Sequence, residues 1–185
     1  MRLFIAVPVP EPVKQNIMAL QARLRKNMGG EKISWTLPGS IHLTLKFLGE
    51  TDPALVDKIV TVMAASVKDA PDFSMSVDKA GAFPSPARPK ILWVGSMEKN
   101  KNIGGIAEKL ERGLKLIGFE EETREFRPHL TIGRVRSGSI AGSRVEALLS
   151  GEIRLGALEV REIQLIESIL SAEGAKYRIV EKIEF

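Results

Sequence analysis

One short frame, His-Leu-Thr followed by an aliphatic residue, occurs twice in this chain and contains both of its histidines. The first copy is HLTL at 42–45 and the second is HLTI at 129–132. The two histidines lie 87 residues apart (129 − 42). A shift of that length also aligns the hydrophobic patterns of the two halves, so the sequence predicts a duplicated unit.

Each half presents strand-like and helix-like stretches in the same order. Apolar runs at 2–9 and 90–96 are typical of buried strands, and each is followed by apolar residues at helical spacing. The proline-rich stretch PSPARPK at 84–90 resembles a linker. We therefore expect one bilobal α+β domain over 1–185, built from duplicated β-α-β-α-β units related by a pseudo-two-fold axis. The repeats would cover about 1–83 and 90–171, followed by a C-terminal strand at 176–185.

Alternation within the frames predicts which side chains share a face. Successive residues of a strand point to opposite faces, so His42, Thr44 and Lys46 would share one face and the intervening apolar residues the other. The second frame gives the same result for His129 and Thr131. A pseudo-dyad would direct both His-Thr pairs into one central cleft.

Two imidazoles and two hydroxyls in one cleft suit attack on a phosphodiester without a metal ion. One neutral histidine takes a proton from the attacking water, and the other, protonated, gives a proton to the leaving oxygen. The threonine hydroxyls would hydrogen-bond the non-bridging oxygens as charge builds on them.

Two other interpretations compete with this one. Each His-Thr pair could be an ordinary exposed strand face, since short motifs match by accident. The repetition of the polar face in both halves argues against that explanation. A zinc site is the second alternative, but two histidines without cysteine or a helical HExxH spacing make a poor ligand set. We therefore expect no metal and no cofactor.

Charge points to the class of partner. The chain contains 27 Lys and Arg against 23 Asp and Glu, a net charge of +4, and no cysteine. Between 123 and 144 five arginines face one acidic residue: Arg124, Arg127, Arg134, Arg136 and Arg144 against Glu125. This local excess favours a polyanion such as nucleic acid, although a solvated basic loop would have the same composition. The apolar run at the N-terminus is too short for a signal peptide or a membrane span, so a cytoplasmic protein with no membrane association is expected.

The paired motifs resemble the 2H phosphoesterase superfamily. Their context resembles its RNA 2′,3′-cyclic phosphodiesterase branch, historically called 2′-5′ RNA ligase: FIAVPVP, HLTLKFLGE, FPSPARPKILWVG and RPHLTIGRVR. The resemblance spans nearly the whole chain. It implies two antiparallel sheets flanking the cleft and opening of RNA 2′,3′-cyclic phosphates to 2′-phosphomonoesters. In some members a reversible 2′-5′ joining accompanies that activity.

The same resemblance implies a set of site residues. The catalytic histidines are His42 and His129, and the phosphate-binding residues are Thr44, Thr131 and Arg134. By alternation Arg134 would point into the core, so we expect an irregularity at Gly133–Arg134 that turns it toward the cleft. Three weaker candidates for RNA contact are Arg127, Lys46 and Phe83, the last as a stacking surface for a terminal base.

The expected partner is RNA with 2′,3′-cyclic phosphate ends, of which tRNA fragments are one source, acted on by a monomeric enzyme. Two alternatives remain open. One is a 2H esterase for small cyclic nucleotides or ADP-ribose cyclic phosphate. The other is a non-catalytic module that binds RNA ends, which would not need two groups that titrate near pH 7.

Overall fold

The computed structural model describes residues 1–28, 32–96, 100–137, 145–146, 149, 151–171 and 174–185. Its three long helices are α1 (Glu11–Met28), α2 (Val56–Val67) and α3 (Lys101–Leu116). The strands of the first half are β1 (Arg2–Pro8), β2 (Lys32–Trp35), β3 (His42–Glu50), β4 (Phe73–Ser76) and β5 (Lys79–Phe83). Those of the second half are β6 (Ile91–Gly95), β7 (His129–Ser137), β8 (Ala157–Val160), β9 (Glu162–Ser171) and β10 (Gly174–Glu184).

The expected α+β duplication is confirmed, with every strand pair antiparallel. The main sheet runs in the order β10-β9-β1-β3-β7-β6-β5, with β2 added to β7, and a second sheet pairs β4 with β8. The halves meet where β3 and β7 pair at Leu43 and Leu130. The last helix expected in the second half falls largely outside the described residues, apart from helical positions 145, 146 and 149.

One face of the main sheet is covered by the helices, and the other carries the histidines. The helices bury regularly spaced apolar residues against the strands: Val13, Ile17, Leu20 and Leu24 from α1, Ile59, Met63 and Val67 from α2, and Ile103, Ile106, Leu110 and Leu114 from α3. The opposite face has a small buried cluster of its own, formed by Phe4, Ala6 and Ile166. We call this second face the open face. Among the described helices, none is long and apolar enough to cross a membrane.

A β-bulge in β3 overturns the expected position of Lys46. Ala6 pairs with Thr44 and Ile5 pairs with Lys46, so Leu45 has no partner in β1. The extra residue reverses the alternation, and Lys46 turns to the helix-covered face. The prediction that Lys46 shares a face with His42 is therefore wrong. Phe47, which strict alternation would place on the same face as Leu43 and Leu45, lies instead on the open face, where it pairs with Phe4.

A bulge also occurs at the equivalent position of the second frame. Trp93 pairs with Thr131 and Leu92 pairs with Gly133, so Ile132 is the extra residue. The irregularity expected at Gly133–Arg134 lies one residue earlier, and it has the predicted effect of turning Arg134 to the open face. The carbonyl of Ile132 accepts hydrogen bonds from the Gln21 side chain at 2.8 Å and from the Thr36 amide at 3.1 Å. Gln21 is buried, so α1 stabilises this bulge directly.

Close packing around Gly81 gives a testable consequence. A Cβ at Gly81 would lie 2.3 Å from the ring of Trp93, its partner on β6, whereas a Cβ at Gly105 on α3 meets nothing within 4 Å. Gly81→Ala should lower the free energy of unfolding by ~1–3 kcal/mol because of overpacking. Gly105→Ala should raise it by ~0.5–1 kcal/mol, because alanine favours the helix. Urea unfolding of both variants checks this, and equal effects would contradict the packing argument.

Candidate active site

The pairing of β3 with β7 brings the two His-Leu-Thr frames together. Leu43 and Leu130 are fully buried on the helix-covered face, so their neighbours along each strand point to the open face. Because the strands are antiparallel, His42 lies toward Thr131 and Thr44 toward His129. The site is thus built across the pseudo-dyad, with each histidine directed toward the other half's threonine.

The two threonine hydroxyls are available for a ligand. Thr44 and Thr131 are half-buried, and within the described residues neither hydroxyl has a hydrogen-bond partner. Each hydroxyl can therefore donate to an oxygen placed between the strands.

His42 lies in an apolar and electropositive environment. Its ring contacts Phe4, with 4.6 Å between ring centroids, and Tyr177 edge-on at 5.3 Å. Burial lowers the pKa of His42 to about 4, and the positive charges of Arg134 and Lys14 act in the same direction. In the free protein this imidazole is neutral near pH 7 and can accept a proton.

His129 is held differently, by a hydrogen bond. Its Nδ1 lies 2.7 Å from the backbone carbonyl oxygen of Arg127, which can only accept, so Nδ1 carries the proton. Burial lowers the pKa of His129, the Arg127 carbonyl opposes that shift by stabilising the imidazolium, and Arg134 adds to the lowering. Phe83 meets the ring edge-on at 5.0 Å, and Trp93 lies behind it at 6.5 Å. Because Nδ1 is bound to this carbonyl, Nε2 is the nitrogen that can exchange a proton with a ligand.

Arg134 acts electrostatically on both histidines. Its charge lowers the pKa of His42 and of His129, although it belongs to only one half. The side chain is exposed and makes no ion pair within the described residues. Such a guanidinium can bind an anion with two parallel hydrogen bonds.

The weaker sequence candidates occupy other positions. Lys46 forms an ion pair with Glu111 at 2.5 Å and donates to the Glu120 carbonyl at 2.7 Å, so it stabilises the helix-covered side. Arg127 is exposed and pairs with Glu125 at 3.3 Å. Phe83 is half-buried and stacks on Trp93 at 5.2 Å, so one of its faces is already covered.

The basic stretch around His129 is less positive than the sequence indicated. Arg124 pairs with Glu122 at 2.9 Å, an acidic residue just before the arginine-rich stretch. Arg136 donates to the Ser34 hydroxyl at 3.3 Å, and Arg144 lies outside the described residues.

Three residues at the site were missed by the sequence analysis. Lys14 is in the first turn of α1, just after the end of β1, where Pro8 pairs with His42. Tyr177 reaches His42 from β10, and Trp93 supports Phe83 beside His129. Trp93 lies in the quoted stretch FPSPARPKILWVG and pairs with Thr131, whereas Lys14 and Tyr177 lie outside the quoted stretches and reach His42 only through the tertiary fold. Within the described residues no cluster of three or more His, Cys, Asp or Glu side chains could hold a metal ion.

Comparison with known protein families agrees with the duplicated arrangement. The sequence model of the family described as "LigT like Phosphoesterase" matches this chain twice, at residues 7–93 and 94–177. Each match contains one His-Leu-Thr frame. The chain belongs to the LigT-like phosphoesterase family.

Individual relatives support this assignment, and they are similar to this chain over nearly its whole length. It is 31% identical over 178 residues to a protein of Archaeoglobus fulgidus named RNA 2′,3′-cyclic phosphodiesterase, covering 96% of this chain and 97% of the relative. A protein of Thermotoga maritima with the same name is 31% identical over 187 residues, covering 100% and 96%.

Solved structures share the fold of the phosphoesterase. A protein of Thermus thermophilus superposes with a TM-score of 0.82 at 24% identity, covering 100% of this chain and 97% of that one. E. coli LigT, solved in complex with 3′-AMP, has a TM-score of 0.80 at 21% identity, covering 99% and 97%.

The electrostatics of the two histidines can be tested by substitution. Lys14→Gln should raise the pKa of His42 from about 4, but not back to 6.5, because burial remains the larger cause. Arg134→Gln should raise the pKa of both histidines. NMR titration can follow both, since the phosphoesterase has two histidines. Lys109→Gln, an exposed change on α3, is the control. An unchanged pKa of His42 in Lys14→Gln would refute the electrostatic effect of Lys14.

Proposed function

We propose that this phosphoesterase hydrolyses RNA 2′,3′-cyclic phosphate ends to 2′-phosphomonoesters by general acid-base catalysis with His42 and His129. The observation that carries the proposal is the pairing of Leu43 with Leu130. It directs to one site two histidines and two threonine hydroxyls that have no hydrogen-bond partner among the described residues. The names of the Archaeoglobus and Thermotoga relatives support the same substrate class.

The unequal environments of the histidines suggest unequal roles. Because the pKa of His42 is lowered to about 4, its imidazole is neutral near pH 7. We therefore assign His42 as the general base that accepts a proton from water. His129 has a carbonyl that stabilises its imidazolium, so we assign its Nε2–H as the general acid. The water oxygen bonds to phosphorus, the bond from phosphorus to the 3′ oxygen breaks, and that oxygen takes the proton from His129. The 2′ phosphate remains on the ribose.

Negative charge builds on the non-bridging oxygens during this step, and three groups can stabilise it. The Thr44 and Thr131 hydroxyls donate to the non-bridging oxygens, and Arg134 provides two further donors with a full charge. A ribose 5′-hydroxyl in place of water would give a 2′-5′ linkage through the same proton transfers. We include this reversible joining in the proposal.

We also propose that the whole protein works as one unit. It acts as one bilobal unit over 1–185, with repeats at about 1–83 and 90–171 and a final strand at 176–185. It works as a cytoplasmic monomer, and RNA fragments, including those of tRNA, supply its substrate.

A small cyclic nucleotide would use the same phosphate contacts, and a comparison of kcat/KM between cyclic mononucleotides and oligonucleotides tests that alternative.

Substitution of the catalytic set tests the mechanism. His42→Ala and His129→Ala should each lower kcat on a cyclic-phosphate RNA on the order of a hundredfold or more, and Thr44→Ala and Thr131→Ala should lower it less. The double histidine variant should lose less than the product of the single losses. The product should be a 2′-phosphate by ³¹P NMR. Addition of EDTA should leave the rate unchanged, and metal-restored activity would contradict the mechanism.

An activated ester separates the two roles. A 3′-deoxynucleoside 2′-(4-nitrophenyl phosphate) releases nitrophenolate, which needs no proton. On that substrate His129→Ala should recover most of its lost rate, whereas His42→Ala should not. The opposite pattern would reverse the assignment.

The pH dependence follows from the directions of the two pKa shifts. Protonation of His42 near pH 4 removes the base, and deprotonation of His129 at a pH below 6.5 removes the acid. In the free enzyme kcat/KM should therefore peak between these values and fall toward neutral pH. The profile of kcat should lie at higher pH, because a bound phosphodiester anion stabilises both imidazolium ions. A kcat/KM that rises through pH 7 would contradict this electrostatic picture.

A further inference from the structure

The segment between α3 and β7 leads directly to His129. We call residues 118–128 the α3–β7 loop; they contain no helix or strand, and residues 120–125 are exposed. Near the end of this loop, the Arg127 carbonyl accepts the hydrogen bond from Nδ1 of His129. Exposed connecting segments are generally more mobile than the elements that they join. The orientation of His129 therefore depends on contacts that hold this loop in place.

Lys46 and Glu111 hold the beginning of the α3–β7 loop. The bulge at Leu45 turns Lys46 to the helix-covered side, where its side chain is 10% exposed and forms an ion pair with Glu111 of α3 at 2.5 Å. The Lys46 ammonium also donates to the carbonyl of Glu120 at 2.7 Å. The Glu111 carboxylate accepts from the backbone amide of Glu122 at 2.6 Å. One largely buried ion pair thus binds the backbone of two loop residues by charge-assisted hydrogen bonds.

Further contacts continue along the loop from Glu122 to the Arg127 carbonyl. The Glu122 carboxylate accepts from the backbone amide of Arg124 at 3.2 Å and from its guanidinium at 2.9 Å. Phe126 is half-buried and packs against the main hydrophobic core. Every second residue from 120 to 126 is therefore bound to a neighbour, and Arg127 follows the last of them.

A second ion pair reaches the same loop from α3, but it lies in solvent. Lys115 pairs with Glu121 at 2.5 Å, and the two side chains are 60% and 51% exposed. Exposed ion pairs of this kind contribute little to the order of a protein. The loop therefore offers a matched comparison between one largely buried ion pair and one exposed ion pair.

We propose that the Lys46–Glu111 pair positions His129, because it fixes the α3–β7 loop and thereby holds the Arg127 carbonyl against Nδ1. Lys46 lies on the helix-covered side, so it acts through the loop and not by contact with RNA. The consequence for catalysis rests on the proposed function, in which Nε2–H of His129 is the general acid. A carbonyl held at Nδ1 keeps Nε2 directed to the ligand and stabilises the imidazolium that donates the proton.

Nitrogen NMR of the histidines tests the proposal without any substrate. Lys46→Met/Glu111→Met removes both charges, so no buried charge is left unpaired. In the unaltered protein, neutral His129 should carry its proton on Nδ1, and in the variant a large share of the molecules should carry it on Nε2 instead. The pKa of His129 should fall further, because the carbonyl that raises it is lost. His42 is the internal control and should keep its tautomer and its pKa.

Two substrates separate the positioning of His129 from a general loss of structure. On a cyclic-phosphate RNA, Lys46→Met/Glu111→Met should lower kcat about tenfold, less than the removal of His129 itself. The fall of kcat/KM on the alkaline side should move to lower pH, in line with the lower pKa of the acid. On the nitrophenyl ester, whose leaving group needs no proton, the variant should keep most of its rate. An equal loss of rate on both substrates would overturn the inference.

Three single variants complete the test. Lys115→Gln removes the exposed ion pair to the same loop and should change neither the tautomer of His129 nor either rate. Glu111→Gln keeps a side-chain oxygen that can accept from the Glu122 amide, so it should retain most of the Nδ1-protonated form. Lys46→Gln is one bond shorter and uncharged, so it should produce the changes of the double variant at smaller size. It provides the measurement if the double variant does not fold.

The outcomes for the positioning role and for the proposed function can be told apart. An unchanged His129 tautomer and pH profile in folded Lys46→Met/Glu111→Met, or in Lys46→Gln if the double variant does not fold, would overturn the inference and leave the proposed function standing. The same change in Lys115→Gln would also overturn it. Failure of the unaltered protein to open a cyclic phosphate would overturn the proposed function, while the tautomer measured by NMR would still decide whether the pair positions His129.

Discussion

The contact between Leu43 and Leu130 is the constraint on which the site depends. Both side chains are fully buried under the helices, a burial that stabilises the fold by about 1.5–3 kcal/mol for each leucine. Rotation of either strand to bury its polar neighbours instead would expose that leucine and place an imidazole in an apolar core. The histidine and threonine side chains of the candidate site are therefore held in position by the hydrophobic core on the other face of the sheet, and the pairing of β3 with β7 aligns one half with the other.

The two bulges convert a symmetric framework into an asymmetric site. Both occur at the fourth residue of the frame, and both reverse the alternation beyond it. Because of this reversal, Lys46 and Gly133 lie on the helix-covered side, and Phe47 and Arg134 lie on the open face. The charge of Arg134 then acts on both histidines, while the carbonyl of Arg127 supports only His129. Differences in burial and charge, rather than in residue type, distinguish the two imidazoles.

Much of this arrangement could be predicted from the sequence, because periodicity and repetition are local signals. The duplication, the three long helices, the strands that carry the two frames and the shared face of each His-Thr pair followed from patterns in the sequence, whereas β2, β8 and the division of 73–83 into β4 and β5 did not. The position of Lys46 could not be predicted, because a bulge is set by pairing with another strand and no proline or glycine marks it at Leu45. Gly133 did mark the second bulge, to within one residue. Lys14 and Tyr177 lie far from the motifs, and only the packing of α1 and β10 beside His42 brings them to the site.

The exchange of segments between the halves bears on how such a protein could arise. Strand β2 belongs to the first half but pairs with β7, and Gln21 of the first half binds the Ile132 carbonyl of the second. In return, the Glu120 carbonyl of the second half accepts from Lys46 of the first. An ancestor with one repeat would have needed two intertwined copies to complete these contacts. Identical copies cannot differ at a shared position, so the pairing of phenylalanine at 47 with arginine at 134 requires both repeats to lie in one chain. With both repeats in one chain, one half can carry an aromatic ring at the position where the other half carries a cation.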